Sequence, residues 1–320
     1  MLQFRLAKSY VAGLCAAALS LAGVACYRPP VTSRPRLPEA DLSRMANDAL
    51  AGRAGTIIVL DPRFGNILKR FGRDADLQFA SSPYELARIV TAYAALDQGA
   101  INDKTLLPCD ETGPATDVIS ALARPCPAFF KELSRRLDPE AFTRAAGAIG
   151  FLYYGLESSG QGATAVRPIR ARISRGAGEA AGWFADLATK GVGMEARDLH
   201  FVQFVSSLAS GTTASERFAA YIATTARAPA PPTERLNQGA LAVVRRGLLK
   251  AVDEGEARAA ASPERRVAGM SGGGDGGAIF VSYAPAGDPQ VGVVVHLKGG
   301  VGRDAAEVAG KFYQTYFRKR

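Results

Sequence analysis

The sequence predicts an α+β domain. One five-stranded antiparallel sheet draws its strands from both ends of the chain, helices flank it, and a mostly helical region is inserted between. Three observations predict this. Residues 55–72, "GTIIVLDPRFGNILKRFG", form two strand-like runs around a turn holding Asp61, Pro62 and Gly65, which is a β-hairpin pattern. Three more strand candidates lie near the other end: "RRVAGM", "GAIFVSYAP" and "QVGVVVHLKGG". Between them, residues 103–235 contain no convincing long strand, only broken helices and loops. The economical solution is a single sheet built from the hairpin and the three late strands, with helices on its faces. A length of 320 residues, 48% hydrophobic and 22% charged, leaves room for one large domain or two intimate ones.

In chain order, residues 1–25 read as an export segment. "MLQFRLAKSY" is a short basic start, and "VAGLCAAALSLAGVA" is an apolar run too short for a comfortable membrane span. Small residues before Cys26 suggest cleavage and lipid attachment there, although Gly23 stands where such sites prefer a leucine-like residue. A plain secretory signal and an uncleaved anchor remain open. All three place the protein outside the bacterial cytoplasm. Residues 26–50, with "YRPPVTSRPRLPEA", read as a Pro-rich tether, and 51–320 as the domain, its helical insertion at about 103–235.

After the hairpin comes "SSPYELARIVTAYAALDQG", residues 81–99. From Leu86 to Leu96 it is apolar nearly all round, the mark of a helix buried on several sides, and Gly99 is a usual stop. Further helical segments are "SALARPCPAFFKELSRRL", "EAFTRAAGAIGFL", "RDLHFVQFVSSLASG" and "LNQGALAVVRRGLLKAVDEG". "DAAEVAGKFYQTYF" closes the chain as an amphipathic helix. Cys15 and Cys26 belong to the export region. Cys109 and Cys126 read either as a disulfide or as two buried thiols. The only histidines, His200 and His296, stand far apart without ligand spacing, so no metal site is expected. No cofactor is implied.

The net charge is +9, of which Arg5 and Lys8 in the export segment supply two. A basic exported domain suits anionic surroundings such as phospholipid headgroups or acidic wall polymers. No zinc knuckle, RNP-like stretch or basic heptad array points to nucleic acid.

The layout and the local sequence resemble the transpeptidase domain of penicillin-binding proteins, the fold shared with serine β-lactamases. "GTIIVLDPRFGNILKRFG" resembles the family's opening hairpin. "RIVTAYAALDQGAI" is similar to the helix following its nucleophile, and "SALARPCPAFFKELSRRL" to the segment with its second motif. "GVGMEARDLHFVQFVSSLASGTT" resembles its Gly-x-Gly loop and the next helix. "VVRRGLLKAVDEGEA" and "RVAGMSGGG" resemble the approach to its third motif, and "AIFVSYAPAGDPQVGVVVHLKGG" its last two strands. These segments run in family order over residues 55–317.

The resemblance implies three motifs around one cleft, and this chain departs from each. Where the family has Ser-x-x-Lys, Glu85 and Arg88 stand. An arginine stays protonated and cannot serve as the base. Where it has Ser-x-Asn, "PCP" places Pro125 and Pro127. Where it has Lys-Thr/Ser-Gly, Met270 replaces the cation while Ser271 and Gly272 remain. Nucleophile, base and substrate-carboxylate cation are therefore missing together. Structurally, "SPYE" reads as a helix start, with Ser82 as N-cap, Pro83 at N1, and Glu85 closing a capping box and pairing with Arg88.

The implied function is that of an exported, membrane-tethered pseudoenzyme that binds or scaffolds in the cell envelope. By resemblance, its partners are peptidoglycan or wall-synthesis proteins. The alternative is an active acyl-serine transpeptidase, carboxypeptidase or β-lactamase using displaced residues. Ser81 and Ser82 lack a lysine three residues on and read as caps. His296 reads as packed or edge-exposed, Tyr153 and Tyr154 as core or rim. Arg167, Arg170, Arg172 and Arg175 read as a solvated basic loop, and "SGGGDGG" (271–277) as a flexible turn.

Overall fold

The computed structural model describes residues 38–72, 80–110, 113–159, 163–174, 182–225 and 233–319. The export segment, residues 26–37 of the Pro-rich tether with Cys26, and Arg175 lie outside the described residues. Among those described, no helix is long and apolar enough to cross a membrane.

The five-stranded sheet is present. Its strands are β1 (Gly55–Asp61), β2 (Asn66–Gly72), β3 (Ala268–Gly274), β4 (Gly277–Ala284) and β5 (Val291–Leu297), in the order β3-β4-β5-β1-β2. Every pairing is antiparallel. The apolar run Ile57–Leu60 of β1 suits its interior place between β5 and β2, since all seven of its residues are buried and both faces need cover. β2 is half-buried at the edge. The two ends of the chain meet where Thr56 pairs with His296 and Ile58 with Val294. The β1–β2 turn is closed by Asp61, whose carboxylate accepts from the Arg63 amide.

Three sequence expectations are corrected. The tether does not extend to residue 50, because Glu39–Leu50 is a helix, α1. Leu42, Met45, Ala46, Ala49 and Leu50 recur at helical spacing and are buried, and α1 packs on the C-terminal helix. Glu39 and Asp41 in its first turn suit the positive helix end, and Glu39 reaches Lys69 of β2. The region 103–235 does hold long strands: Leu152–Ser159 and Ala163–Arg170 form a hairpin of their own. Gly155 and Pro168 interrupt any period-two apolar run, and among the described residues the hairpin pairs only with itself. Lastly, "SGGGDGG" is mostly strand. β3 runs to Gly274 and pairs with Gly277, which leaves only Asp275 and Gly276 in the turn.

Helix α2 (Ala87–Asp97) is buried continuously from Ala87 to Ala95, as its all-round apolar pattern predicts. Cys109 and Cys126 form a disulfide with Cα atoms 4.5 Å apart. A loop of this length contributes about 3 kcal/mol by restricting the unfolded chain. It holds the loop before the helix Pro127–Ser134, in whose first turn Pro127 stands.

His200 lies in helix α3 (Asp198–Ser210) and is 2% exposed. Its Nδ1 accepts from the Arg197 amide at 2.9 Å, and Nε2 donates to the Ile169 carbonyl at 3.1 Å. Burial lowers its pKa to about 4. The unfolded chain takes up this proton near pH 6.5, so the contribution is complete above that value. It is lost as pH falls towards 4, by about 3 kcal/mol at the limit. Urea unfolding across this window should therefore show a shallower acid loss for His200→Gln than for the unsubstituted protein. Parallel curves would contradict the assignment.

Candidate functional site

The residues preceding α2 do not form the expected capping box. They make a 3₁₀ turn, Tyr84–Leu86, entered through Pro83, without a side-chain cap. Tyr84 has φ +49°, the left-handed region that a bulky residue rarely adopts. The Ser82 hydroxyl accepts from the Tyr84 amide at 3.1 Å, a local turn, and donates to the Gly191 carbonyl at 3.3 Å. Pro83 is thus the cap position itself and not the first helical residue. Glu85 does not reach back to Ser82. Its Oε2 accepts from the Gly273 amide of β3, 2.9 Å away. The left-handed Tyr84 removes the geometry that a capping box needs, and the strand's amide takes the carboxylate instead.

Close approach of this turn to β3 requires glycine. A Cβ on Gly272 would lie 3.0 Å from the Tyr84 Cβ, and one on Gly274 would lie 3.0 Å from the Tyr84 ring. The glycine run thus lets the Tyr84 side chain lie along the strand.

Arg88 points into the same region and is 5% exposed. Its Nε donates to the Thr189 carbonyl at 3.0 Å, its guanidinium carbon sits 5.7 Å from the Phe130 ring centroid, and Nη2 stands 3.9 Å from Glu85 Oε1. Arg88 and Glu85 together line an open cleft of about 590 Å³, with Pro125, Ser271 and Gly272. Five of the predicted positions therefore converge, and two do not. Pro127 is exposed and opens its helix outside the cleft wall. Met270 is fully buried in the hydrophobic core. Met270, expected at the cleft, packs in the core, where an apolar side chain is better accommodated than in water.

Glu256, Asp275 and Arg303 also line the cleft and escaped sequence reasoning. Glu256 follows helix α4 (Gln238–Asp253), and its amide donates to the Ala123 carbonyl at 3.0 Å. The available signal was Gly255 just before it. A Cβ there would fall 1.9 Å from the Ala123 oxygen, so this contact tolerates only glycine. Burial raises the Glu256 pKa, Arg88 pulls it back, and Glu85 adds to the rise. Burial pushes Arg88 the other way, below its ordinary value, opposed by Glu85 and Glu256. The cleft wall thus carries an arginine whose charge two nearby carboxylates favour. Among the described residues its one lining hydroxyl, Ser271, is 5% exposed, and neither lysine nor histidine lines the cleft. Among the described residues no group of three or more histidine, cysteine, aspartate or glutamate side chains is arranged to hold a metal.

Residues 55–316 match a family model described as penicillin binding protein transpeptidase domain. Among solved structures, the chain is similar to the D,D-transpeptidase domain of a peptidoglycan glycosyltransferase from Eggerthella lenta. Identity is 20% and the TM-score 0.65, covering 88% of this chain and 81% of that one. It is also similar to the transpeptidase domain of penicillin-binding protein 3 from Burkholderia pseudomallei, at 17% identity and TM-score 0.66, over 88% and 93% of the two chains. A peptidoglycan glycosyltransferase from Burkholderia ambifaria aligns at 17% identity and TM-score 0.67, over 88% and 96%. At such identities the likeness is one of fold. No curated protein matches the sequence.

Proposed function

This chain belongs to the penicillin-binding protein transpeptidase family, and from that premise we propose that it is an exported cell-envelope pseudoenzyme, lipid-anchored at Cys26, that binds or scaffolds in a peptidoglycan setting. One observation carries this reading: Glu85, which we assign to the family's nucleophile position, is committed to the Gly273 amide. The amide is a donor on the cleft wall, and a carboxylate already fills it. Arg88, in the place of the base, is tied to a carbonyl, a ring and a carboxylate, and a guanidinium does not accept a proton near neutral pH.

The cleft nevertheless stays open. Its volume lies within the range of ligand pockets, which supports retained binding over simple loss of the site. The basic balance of the chain supports an anionic setting such as wall polymer.

The test is co-sedimentation with purified peptidoglycan, run beside gel fluorescence with a labelled penicillin. Sedimentation with the wall and no covalent label is the expected pair of results. A stoichiometric penicillin adduct mapped to a cleft-lining serine would restore the active-enzyme alternative. Failure to sediment with wall material would leave scaffolding without its ligand and refute the peptidoglycan assignment.

A further inference from the structure

The hydroxyl of Ser81 lies 3.1 Å from Nε2 of His296. On the other side of that ring, Nδ1 lies 3.0 Å from Oδ1 of Asp198. Oδ2 of the same carboxylate accepts from Arg70 Nη2 at 2.6 Å. The four residues come from four elements. Ser81 sits on a two-residue strand paired with Met194–Arg197, His296 on β5, Asp198 at the start of α3, and Arg70 on β2. Reading Ser81 as a cap and His296 as a packing residue does not describe this arrangement.

The chemistry of the line is specific. Asp198 is 2% exposed, and Arg70 fixes one of its oxygens, so the other faces the ring. An acceptor at Nδ1 places the ring proton there and leaves the Nε2 lone pair directed at the serine hydroxyl. Phe201 meets the ring edge-on, with centroids 5.2 Å apart, which restrains its rotation. A nucleophile within hydrogen-bond reach of a base, itself oriented by a third group, is the arrangement that activates a serine.

The three residues also share a cavity. Ser81, His296 and Asp198 line a small pocket of about 40 Å³ with Gly55, Tyr84, Ala278 and Leu297. None of its lining residues belongs to the Glu85 cleft. Ser81 is half-buried, and the His296 side chain keeps 14% of its surface exposed. A purely structural ion-pair network needs neither a cavity nor an open hydroxyl.

We propose that Ser81, His296 and Asp198 form a second, hydrolytic centre that cleaves esters of short acyl groups of about acetyl size. The cavity's small, largely apolar lining admits such a group and leaves the alcohol part outside. Ser81 Oγ bonds to the ester carbonyl carbon while its proton passes to His296 Nε2. The ester C–O bond then breaks, and that proton goes to the departing alkoxide, giving the free alcohol and an acyl-serine. Water adds to the acyl carbon and gives its proton to Nε2. The C–Oγ bond breaks, and the proton returns to Ser81. Ester and water become acid and alcohol, with no other reactant. This centre is independent of the transpeptidase cleft, so its activity and the loss of transpeptidation are separate matters.

The full chain is assayed with p-nitrophenyl acetate and p-nitrophenyl octanoate. It is also treated with a fluorophosphonate probe and the adduct mapped by mass. The expected results are turnover of the acetate, a preference for it over the octanoate, and a stoichiometric adduct on Ser81. Ser81→Ala, a small change at a half-buried site, should abolish the adduct and lower kcat/KM for the acetate about 1,000-fold. Asp198→Asn should lower kcat with little change in KM, as expected of a positioning residue, and its circular dichroism is compared first. Acetate hydrolysis unchanged in Ser81→Ala, or no adduct on Ser81, overturns the proposal. Equal rates on acetate and octanoate overturn the assigned acyl size. Penicillin labelling reads the other cleft and is unaffected by either result.

Discussion

Arg88→Met should lower the stability of the domain by about 2–4 kcal/mol at pH 7, and part of that loss should return on acidification. Methionine fills the volume of the stem and removes the guanidinium with its charge, its hydrogen bonds and its packing on Phe130. The Thr189 carbonyl then loses its donor, and Phe130 loses its cation. Glu85 contributes little to the cost, because its side chain is 27% exposed and its pair with Arg88 is long. Glu256 contributes more, since Arg88 is what restrains its burial-raised pKa. A carboxyl whose folded pKa lies above its unfolded value adds stability that is complete below the unfolded value. That stability is lost as pH rises through the folded one. Without Arg88 the rise grows, so the variant pays more at pH 7 than at pH 5. The acid loss due to His200 is common to both proteins and cancels in their difference. Urea unfolding at the two pH values measures this. An equal deficit at both would show that Glu256 does not depend on Arg88.

The double variant Glu85→Ser/Arg88→Lys should remain unlabelled by penicillin, although it returns a hydroxyl and an amine to the first motif. The missing groups elsewhere explain why. Met270 is fully buried, so the cleft still offers no cation at that position. Pro125 lines the cleft without a hydrogen-bonding side chain, and Pro127 does not line it. Catalytic groups that act together are strongly non-additive, and a partial set recovers a small part of a rate that spans about a million-fold. The substitution also removes the carboxylate bound to the Gly273 amide, at a cost of about 1–3 kcal/mol. Gel fluorescence with intact mass as a check is the assay. An adduct on the double variant and not on the parent would show that the second and third motifs still function. An adduct on the parent at a cleft serine would end the pseudoenzyme reading.

The central sheet was legible because its strands announce themselves locally. β1 carries the apolar run Ile57–Leu60 and proves buried throughout, and the run Ala87–Ala95 of α2, apolar apart from Arg88 and Thr91, is likewise buried. Burial that involves both faces of an element leaves an uninterrupted apolar run, and that needs no partner to be read. Glu85, Arg88 and Met270 were assigned to the family's motif positions from order along the chain alone. The start of α2 was not legible. Ser82, Pro83 and Glu85 satisfy a capping pattern, but Tyr84 between them is left-handed, and the Gly273 amide that takes the carboxylate belongs to a strand nearly two hundred positions away. Helix α1 was hidden behind prolines, and the hairpin 152–170 behind Gly155 and Pro168. Glu256 carries no motif and is placed by the contact of Gly255 with Ala123.

The residues that converge on the small cavity show the division most clearly. Ser81 and His296 are 215 positions apart, and Asp198 and His296 are 98 apart. The sequence by itself determined the five-stranded sheet and the buried run of α2, because periodicity and order are properties of neighbours. Only the tertiary structure decided that a serine, an imidazole and a carboxylate share one line, since β5, α3 and the strand before α2 meet only when the sheet has closed around the two ends of the chain.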